Sequence, residues 1–288
     1  MSQKHHDEQR LFEHCKQFRI EPHTRVRLKD FDPRFCGKYE TKKQALQKIE
    51  SLRKQMDDLQ YKLYAEKKRS VLICLQGLDA AGKDGVVRHV LFSMNPEGCR
   101  AVSFKEPSKE ELAHDFLWRI ENRAPKRGEV VIFNRSHYED VLIVRVHHLV
   151  PKEVWSKRYE QINEFEQRLF DNGTHILKFF LHISKKEQLA RFKQRLDDPA
   201  RQWKISEADY TERDYWSDYE KAYEDVLEKC STRHAPWYVI PSDRKWFRDL
   251  TVSAIIVDAM QKLDIRLPAP TVNIAAMRKK YHQQLRGK

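Results

Sequence analysis

An α/β fold is predicted for this chain: a parallel five-stranded sheet, doubly wound, with helices on both faces. Three observations point to it. Short buried-strand patterns alternate with helical patterns along the 288 residues, the order that builds a parallel sheet. The first of these strands runs directly into a glycine-rich turn and a helix. Charged residues then gather just past the ends of several strands, where a sheet of this kind places its ligands.

The first strand is VLICLQ, Val71–Gln76, apolar in five of six positions and free of Pro and Gly. It opens into Gly77-Leu78-Asp79-Ala80-Ala81-Gly82-Lys83-Asp84-Gly85, followed by a helical stretch to Met94. Gly77 and Gly82-Lys83 have the spacing of a phosphate-binding loop. The glycines let successive N–H groups turn inward, past the small Ala80 and Ala81. The helix N-terminus adds its positive dipole end, and Lys83 supplies a charge for a bridging or terminal phosphate. Asp84 stands where most such loops carry Ser or Thr for Mg²⁺. A carboxylate facing a polyphosphate repels it unless a metal lies between, so Asp79 reads as a Mg²⁺ ligand or as a group orienting the acceptor.

Composition narrows the partners. Lys and Arg exceed Asp and Glu to give a net charge of +12, which calls for a polyanion: nucleic acid, anionic membrane or a phosphate polymer. The phosphate loop favours phosphate chemistry, so no nucleic acid and no membrane is expected as partner. No apolar run approaches the roughly 18 residues of a membrane span. The N-terminal MSQKHHDEQR has no signal-peptide core, and the five scattered cysteines read as reduced thiols, which together predict a cytoplasmic protein.

Residues 1–40, interrupted by Pro22 and Pro33, are expected to form an irregular arm with short helical pieces. From Lys42 to Arg69, Ile49, Leu52, Met56, Leu59 and Leu63 recur at spacings of three and four, a long amphipathic helix whose stripe packs on its own domain or on a partner. Arg100–Phe104 is the second strand and Lys105 lies at its end. Ser108 and Glu111 form a capping signature for a helix running through Leu112, Phe116, Leu117 and Ile120. Glu129–Phe133 is the third strand. Asn134-Arg135-Ser136-His137-Tyr138-Glu139-Asp140 follows it, with Glu139 and Asp140 expected to open a helix that carries Arg145. This density of charge after a buried strand points to function rather than to a simple cap.

Pro151 to Phe170 reads as one helix and His175–Ile183 as the fourth strand. Lys185–Leu196 is helical and breaks at Asp197-Asp198-Pro199. With seven Lys or Arg against three acids from Lys185 to Lys204, this edge has the pattern of a mobile lid over phosphates. Ser206–Cys230 reads as one long aromatic-rich helix, Ala235–Pro241 as the fifth strand, and Asp243 onward as a closing helix. The expected organisation is an arm (1–40), one domain (41–270) with a basic lid at about 185–215, and a basic surface tail (271–288).

At these motifs the sequence resembles the family-2 polyphosphate kinases. The resemblance rests on GLDAAGKDG (77–85), SFKEPS (103–108), FNRSHYEDV (133–141), DDPARQWK (197–204) and APWYVIPSDRKW (235–246), in the family's order. Asn-Arg-Ser-His-Tyr-Glu-Asp is similar to the subgroup that phosphorylates both AMP and ADP. The resemblance implies a P-loop kinase-like fold with a helical lid. It implies a Mg²⁺-dependent phosphoryl transfer, with Mn²⁺ as a substitute, from inorganic polyphosphate to AMP and ADP, yielding ADP and ATP. It also implies a cytoplasmic bacterial setting and a homo-oligomer, dimer or tetramer. Asp79, Lys83, Asp84, Arg135, Glu139, Asp140 and Arg145 become active-site positions by that likeness. Asn134 departs from the acid of the single-step subgroups, which leaves Asp140 as the better metal carboxylate beside Asp79.

The chemistry is an in-line displacement between two anions, so positioning and charge neutralisation dominate. Lys83 and the amides of Gly77 to Gly85 are expected to hold the transferred group, and Arg135 and Arg145 to grip the nucleotide phosphates. Lys105, Arg191, Arg195, Arg201 and Lys204 are expected to track the polymer. The rival readings are an ATP-dependent nucleoside monophosphate kinase and a polyanion binder without turnover.

Overall fold

A computed structural model of the chain describes residues 3–37 and 41–286. The central sheet has five parallel strands: β1 (Ser70–Gln76), β2 (Cys99–Ser103), β3 (Val130–Asn134), β4 (Thr174–His182) and β5 (Trp237–Pro241). Their order is β2-β3-β1-β4-β5, with β1 at the centre. The centre is also the most apolar strand, because parallel strands are covered on both faces. Val71, Ile73 and Leu75 face one core layer while Leu72 and Cys74 face the other.

The first layer is built by α1 (Gln3–Cys15), α2 (Lys42–Glu66), α3 (Lys83–Val90) and α12 (Lys245–Lys262). The stripe of α2 is spent here: Leu52, Met56 and Leu63 are buried in the same cluster as Leu250, Ile256 and Met260 of α12. The helix therefore packs on its own sheet. Opposite lie α4 (Lys109–Leu112), α5 (Trp118–Glu121), α6 (Ile143–Val146), α7 (Lys152–Trp155), α8 (Arg158–Asp171) and α11 (Trp216–Cys230), with Ile120, Phe165 and Val226 among their core residues. The remaining helices are α9 (Lys185–Asp197), α10 (Glu207–Thr211) and α13 (Ile274–Arg286).

Several expected helices are divided. The capping box of Ser108 and Glu111 is present, but α4 ends at Leu112 and the chain restarts at α5 after Asp115 accepts a hydrogen bond from the Leu117 amide. Residues 152–171 form two helices, and a 3₁₀ turn at Glu212–Tyr215 separates α10 from α11. After β3 the chain makes a 3₁₀ segment, His137–Val141, before α6. The arm is more ordered than its sequence suggested, since Leu11, Cys15 and Phe18 join the core. The basic tail is helical from Ile274 and exposed throughout. Positions 1–2, 38–40 and 287–288 of those two segments lie outside the described residues.

Candidate active site

The loop between β1 and α3 wraps the end of the central strand. Gly77 (φ 151°), Ala80 (φ 59°) and Gly82 (φ 109°) all lie at positive φ. Its outward carbonyls are captured from behind. Arg191 of α9 donates to Ala80 O at 2.8 Å and Ala81 O at 3.0 Å, Gln188 donates to Asp79 O at 2.9 Å, and Arg248 of α12 donates to Ala81 O at 3.2 Å. The Ala81 amide is used within the loop, donating to Leu78 O at 3.1 Å; the amides around it, on the side away from these carbonyls, suit an anion. Lys83 curls back onto the Gly77 carbonyl at 2.6 Å. Burial, then the neighbouring Arg135, lowers its pKa, against the pull of Asp79, Glu139 and Asp84. An arriving phosphate would relieve that strain on the ammonium.

The segment after β3 brings Arg135 to the same place. Arg135 adopts φ 62°, and its guanidinium donates to Asp79 at 3.1 Å. Burial opposes its charge, but Glu139 and Asp79 outweigh burial and hold it firmly cationic. Asn134 donates to Asp84 at 2.8 Å. Adjacent acids then part company. Glu139 is half-buried and acts electrostatically on Lys83, Arg135 and the phenols of Tyr219 and Tyr223. Asp140 instead accepts from Arg158 at 3.0 Å and faces Arg119 at 3.8 Å.

The pairing of Asp79 with Asp140 expected from the sequence is therefore corrected: Glu139, not Asp140, shares the neighbourhood of Lys83. In a 3₁₀ turn successive side chains point about 120° apart, so one residue decides which acid faces the loop. Burial raises the Asp140 carboxyl to about 6, opposed by Arg158 and Arg119. Its folded pKa exceeds its unfolded one, so the folded state holds the extra proton between pH 4 and 6, and raising the pH through that window removes stability. The melting temperature of Asp140→Asn relative to wild type should therefore rise from pH 4 to pH 7. A flat difference would mean that Asp140 titrates normally, and a falling one that its arginine partners outweigh burial and lower its pKa.

Arg145 is corrected too. It pairs with Asp225 at 2.5 Å, stacks on Trp155 at 4.7 Å from the ring centre, and lines a separate groove with Arg27 and Glu224. It does not line the cavity around the loop. That cavity measures about 1240 Å³ and is lined by twelve Lys or Arg and five carboxylates. Asp79, Lys83, Asp84, Lys105, Asn134 and Arg135 all border it, whereas Glu139 and Asp140, expected at the same edge, are not among its lining residues.

Comparison with known proteins decides the family. The profile described as polyphosphate kinase 2 (PPK2) matches residues 39–268. The chain belongs to the polyphosphate kinase 2 family. An AMP/ADP-polyphosphate phosphotransferase of Meiothermus ruber is 49% identical over 256 residues, covering 88% of this chain and 96% of the relative. An ADP-polyphosphate phosphotransferase of Rhodopseudomonas palustris is 46% identical, covering 89% and 93%. The crystal structure of polyphosphate kinase 2 from Arthrobacter aurescens TC1 superposes with a TM-score of 0.89 at 40% identity, covering 92% of this chain and 95% of that one.

In this family member the segment from Arg191 to Lys204, expected as a lid, borders the cavity, but its cations have different duties. Arg191 is 5% exposed and spent on the loop carbonyls, on Ser242 O and Asp243 O, and on Glu187. It is a structural staple, not a rail for the polymer. Arg195 donates to Lys204 O and pairs with Asp209, and Arg201 pairs with Asp198 at 2.9 Å. Lys204 reaches to 3.8 Å from Asp84 across the cavity mouth.

Sequence reasoning missed Arg248, Asp249 and Lys245, which also line the cavity. The Arg248 guanidinium is 2% exposed, held by Asp249 at 2.8 Å, and lies against Gly82 and Gly85. The available signal was an Arg-Asp pair inside the otherwise apolar run of α12.

Proposed function

We propose that the chain transfers the terminal phosphoryl group of inorganic polyphosphate to AMP and to ADP, forming ADP and ATP. The observation that carries this reading is the cavity: twelve cations around a phosphate loop suit a donor that offers only charge and repeat spacing. The names of the Meiothermus ruber and Rhodopseudomonas palustris relatives support the acceptors.

Mg²⁺, or Mn²⁺ in its place, fits the donor set. Phosphoryl-transfer sites hold Mg²⁺ by one or two carboxylates and leave the other positions to phosphates and water. Among the described residues no group of three His, Cys, Asp or Glu could hold a metal unaided, whereas Asp79 and Glu139 lie around Lys83 and Arg135. Asp79 with Glu139 would hold the ion, which neutralises charge between donor and acceptor. Lys83 leaves the Gly77 carbonyl for the transferred phosphate, the loop amides hold its oxygens, and Arg135 stabilises charge as the bond breaks. Lys105, Arg195, Arg201 and Lys204 line the path of the polymer. The acceptor phosphate is already anionic, so no strong base is required. We further take the enzyme to work in the cytoplasm as a homo-oligomer.

Incubating the protein with AMP, Mg²⁺ and long-chain polyphosphate, without ATP, should give ADP and then ATP. A nucleoside monophosphate kinase that depends on ATP would give neither. A polyanion binder would show salt-dependent binding of polyphosphate and no product.

A further inference from the structure

Behind the active-site segment lies a set of ionisable side chains that the reaction does not touch. His137, Tyr138, Glu166 and Lys178 are each 0% exposed. Glu166 of α8 is the hub. One of its oxygens takes the Tyr138 hydroxyl at 2.8 Å and lies 3.1 Å from His137 Nε2. The other takes the Lys178 ammonium at 2.5 Å. Lys178 of β4 also donates to the Tyr138 hydroxyl at 2.8 Å and to the Cys230 carbonyl, at the end of α11, at 2.6 Å.

Such a cluster is a poor device for stability alone. Removing a carboxylate and an ammonium from water costs several kcal/mol per ion, and apolar side chains of the same size often serve at least as well. What hydrogen bonds add is direction. An apolar anchor lets a short segment slide or roll by fractions of an ångström; three donors on one carboxylate do not.

The place where that direction is delivered is specific. His137 and Tyr138 are the two residues between Arg135-Ser136 and Glu139. The segment is a five-residue 3₁₀ turn, and it is entered through Arg135 at φ 62°. Tyr138 and His137 point back into the cluster, while Arg135 reaches Asp79 at the cavity and Glu139 bears electrostatically on Lys83 and Arg135. Fixing the first pair fixes the second.

We propose that Glu166 and Lys178, acting through His137 and Tyr138, are positioning residues that set Arg135 and Glu139 for phosphoryl transfer. They touch no substrate. The inference rests on the reading of Arg135 as part of the transfer site.

The test compares His137→Phe/Tyr138→Phe with wild type and with Arg135→Ala. The double variant cuts the segment from Glu166 while leaving the Glu166–Lys178 pair intact. At a temperature well below its melting point, kcat should fall about ten- to a hundredfold, the cost of a misplacement near 1 Å. KM for polyphosphate should stay within about twofold, because the polymer path is untouched. A wild-type kcat in the folded double variant would overturn the proposal, whatever its melting temperature. If the double variant does not fold, Tyr138→Phe alone removes one oxygen atom and no carbon, and its kcat decides in the same way. If Arg135→Ala itself keeps the wild-type rate, the site reading fails first; if Arg135→Ala is inactive and the Phe variants are not, only the positioning role fails.

Discussion

Replacing Lys83 by Ala should lower the rate of phosphoryl transfer by about 10²–10³, the usual cost of about 2.7–4 kcal/mol for losing one charge-stabilising contact in the transition state. The fold should not suffer. Among the described residues the Lys83 ammonium bonds only to carbonyls of its own loop, Gly77 and Leu78. Burial already disfavours its charge, so truncation removes a strained cation rather than a support. The expected pattern is a melting temperature equal to or above that of wild type beside a rate that has collapsed. A single-turnover assay with ADP and polyphosphate, run next to a thermal melt, checks both halves. A variant within tenfold of the wild-type rate would remove Lys83 from the reaction.

Gly82→Ala should damage both activity and stability, for a reason unrelated to charge. Gly82 sits at φ 109°, where a residue with a Cβ is strained. An added Cβ would stand 1.7 Å from the Arg248 guanidinium. Side-chain ends usually move aside cheaply. Arg248 does not, because two bonds to Asp249 and one to Ala81 O pin it in a buried site. Overpacking of this kind costs about 1–3 kcal/mol, and here it displaces the loop that carries Asp79 and Lys83. Rates should fall by at least about 10² and the melting temperature by several degrees. Gly82→Ala with normal turnover would show that Arg248 yields freely.

Much of the fold was legible because its physics is local. Five apolar runs, each followed by a helical pattern, specify a parallel sheet, and the glycine spacing marks the loop at the end of its central strand. The helix breaks were less legible. Between Leu112 and Trp118 the apolar positions keep a helical spacing, and only the Asp115 side chain, competing for the Leu117 amide, interrupts it. The site was legible wherever it hangs on the loop: Asp79, Lys83 and Arg135 meet. It was not legible in the segment after β3, where a 3₁₀ turn rather than an α-helix turns Asp140 onto Arg158 and leaves Glu139 as the acid whose charge acts on Lys83. The guanidinium of Arg248 escaped because α12 reads as core, and a buried cation looks like an error of pattern until its partner Asp249 is seen beside it.

The Arg191 staple also fixes how the entrance can work. The first two turns of α9 are bolted to the floor of the phosphate loop and to the end of β5 through Ser242 and Asp243. They cannot lift without tearing that floor apart. Any opening for a long, highly charged thread must hinge beyond this bolt, in the stretch from Asp198 to Ser206 where Arg201 and Lys204 reside. Whatever the exposed stretch from Pro199 to Lys204 does, the loop between β1 and α3 keeps its shape on a rigid fulcrum.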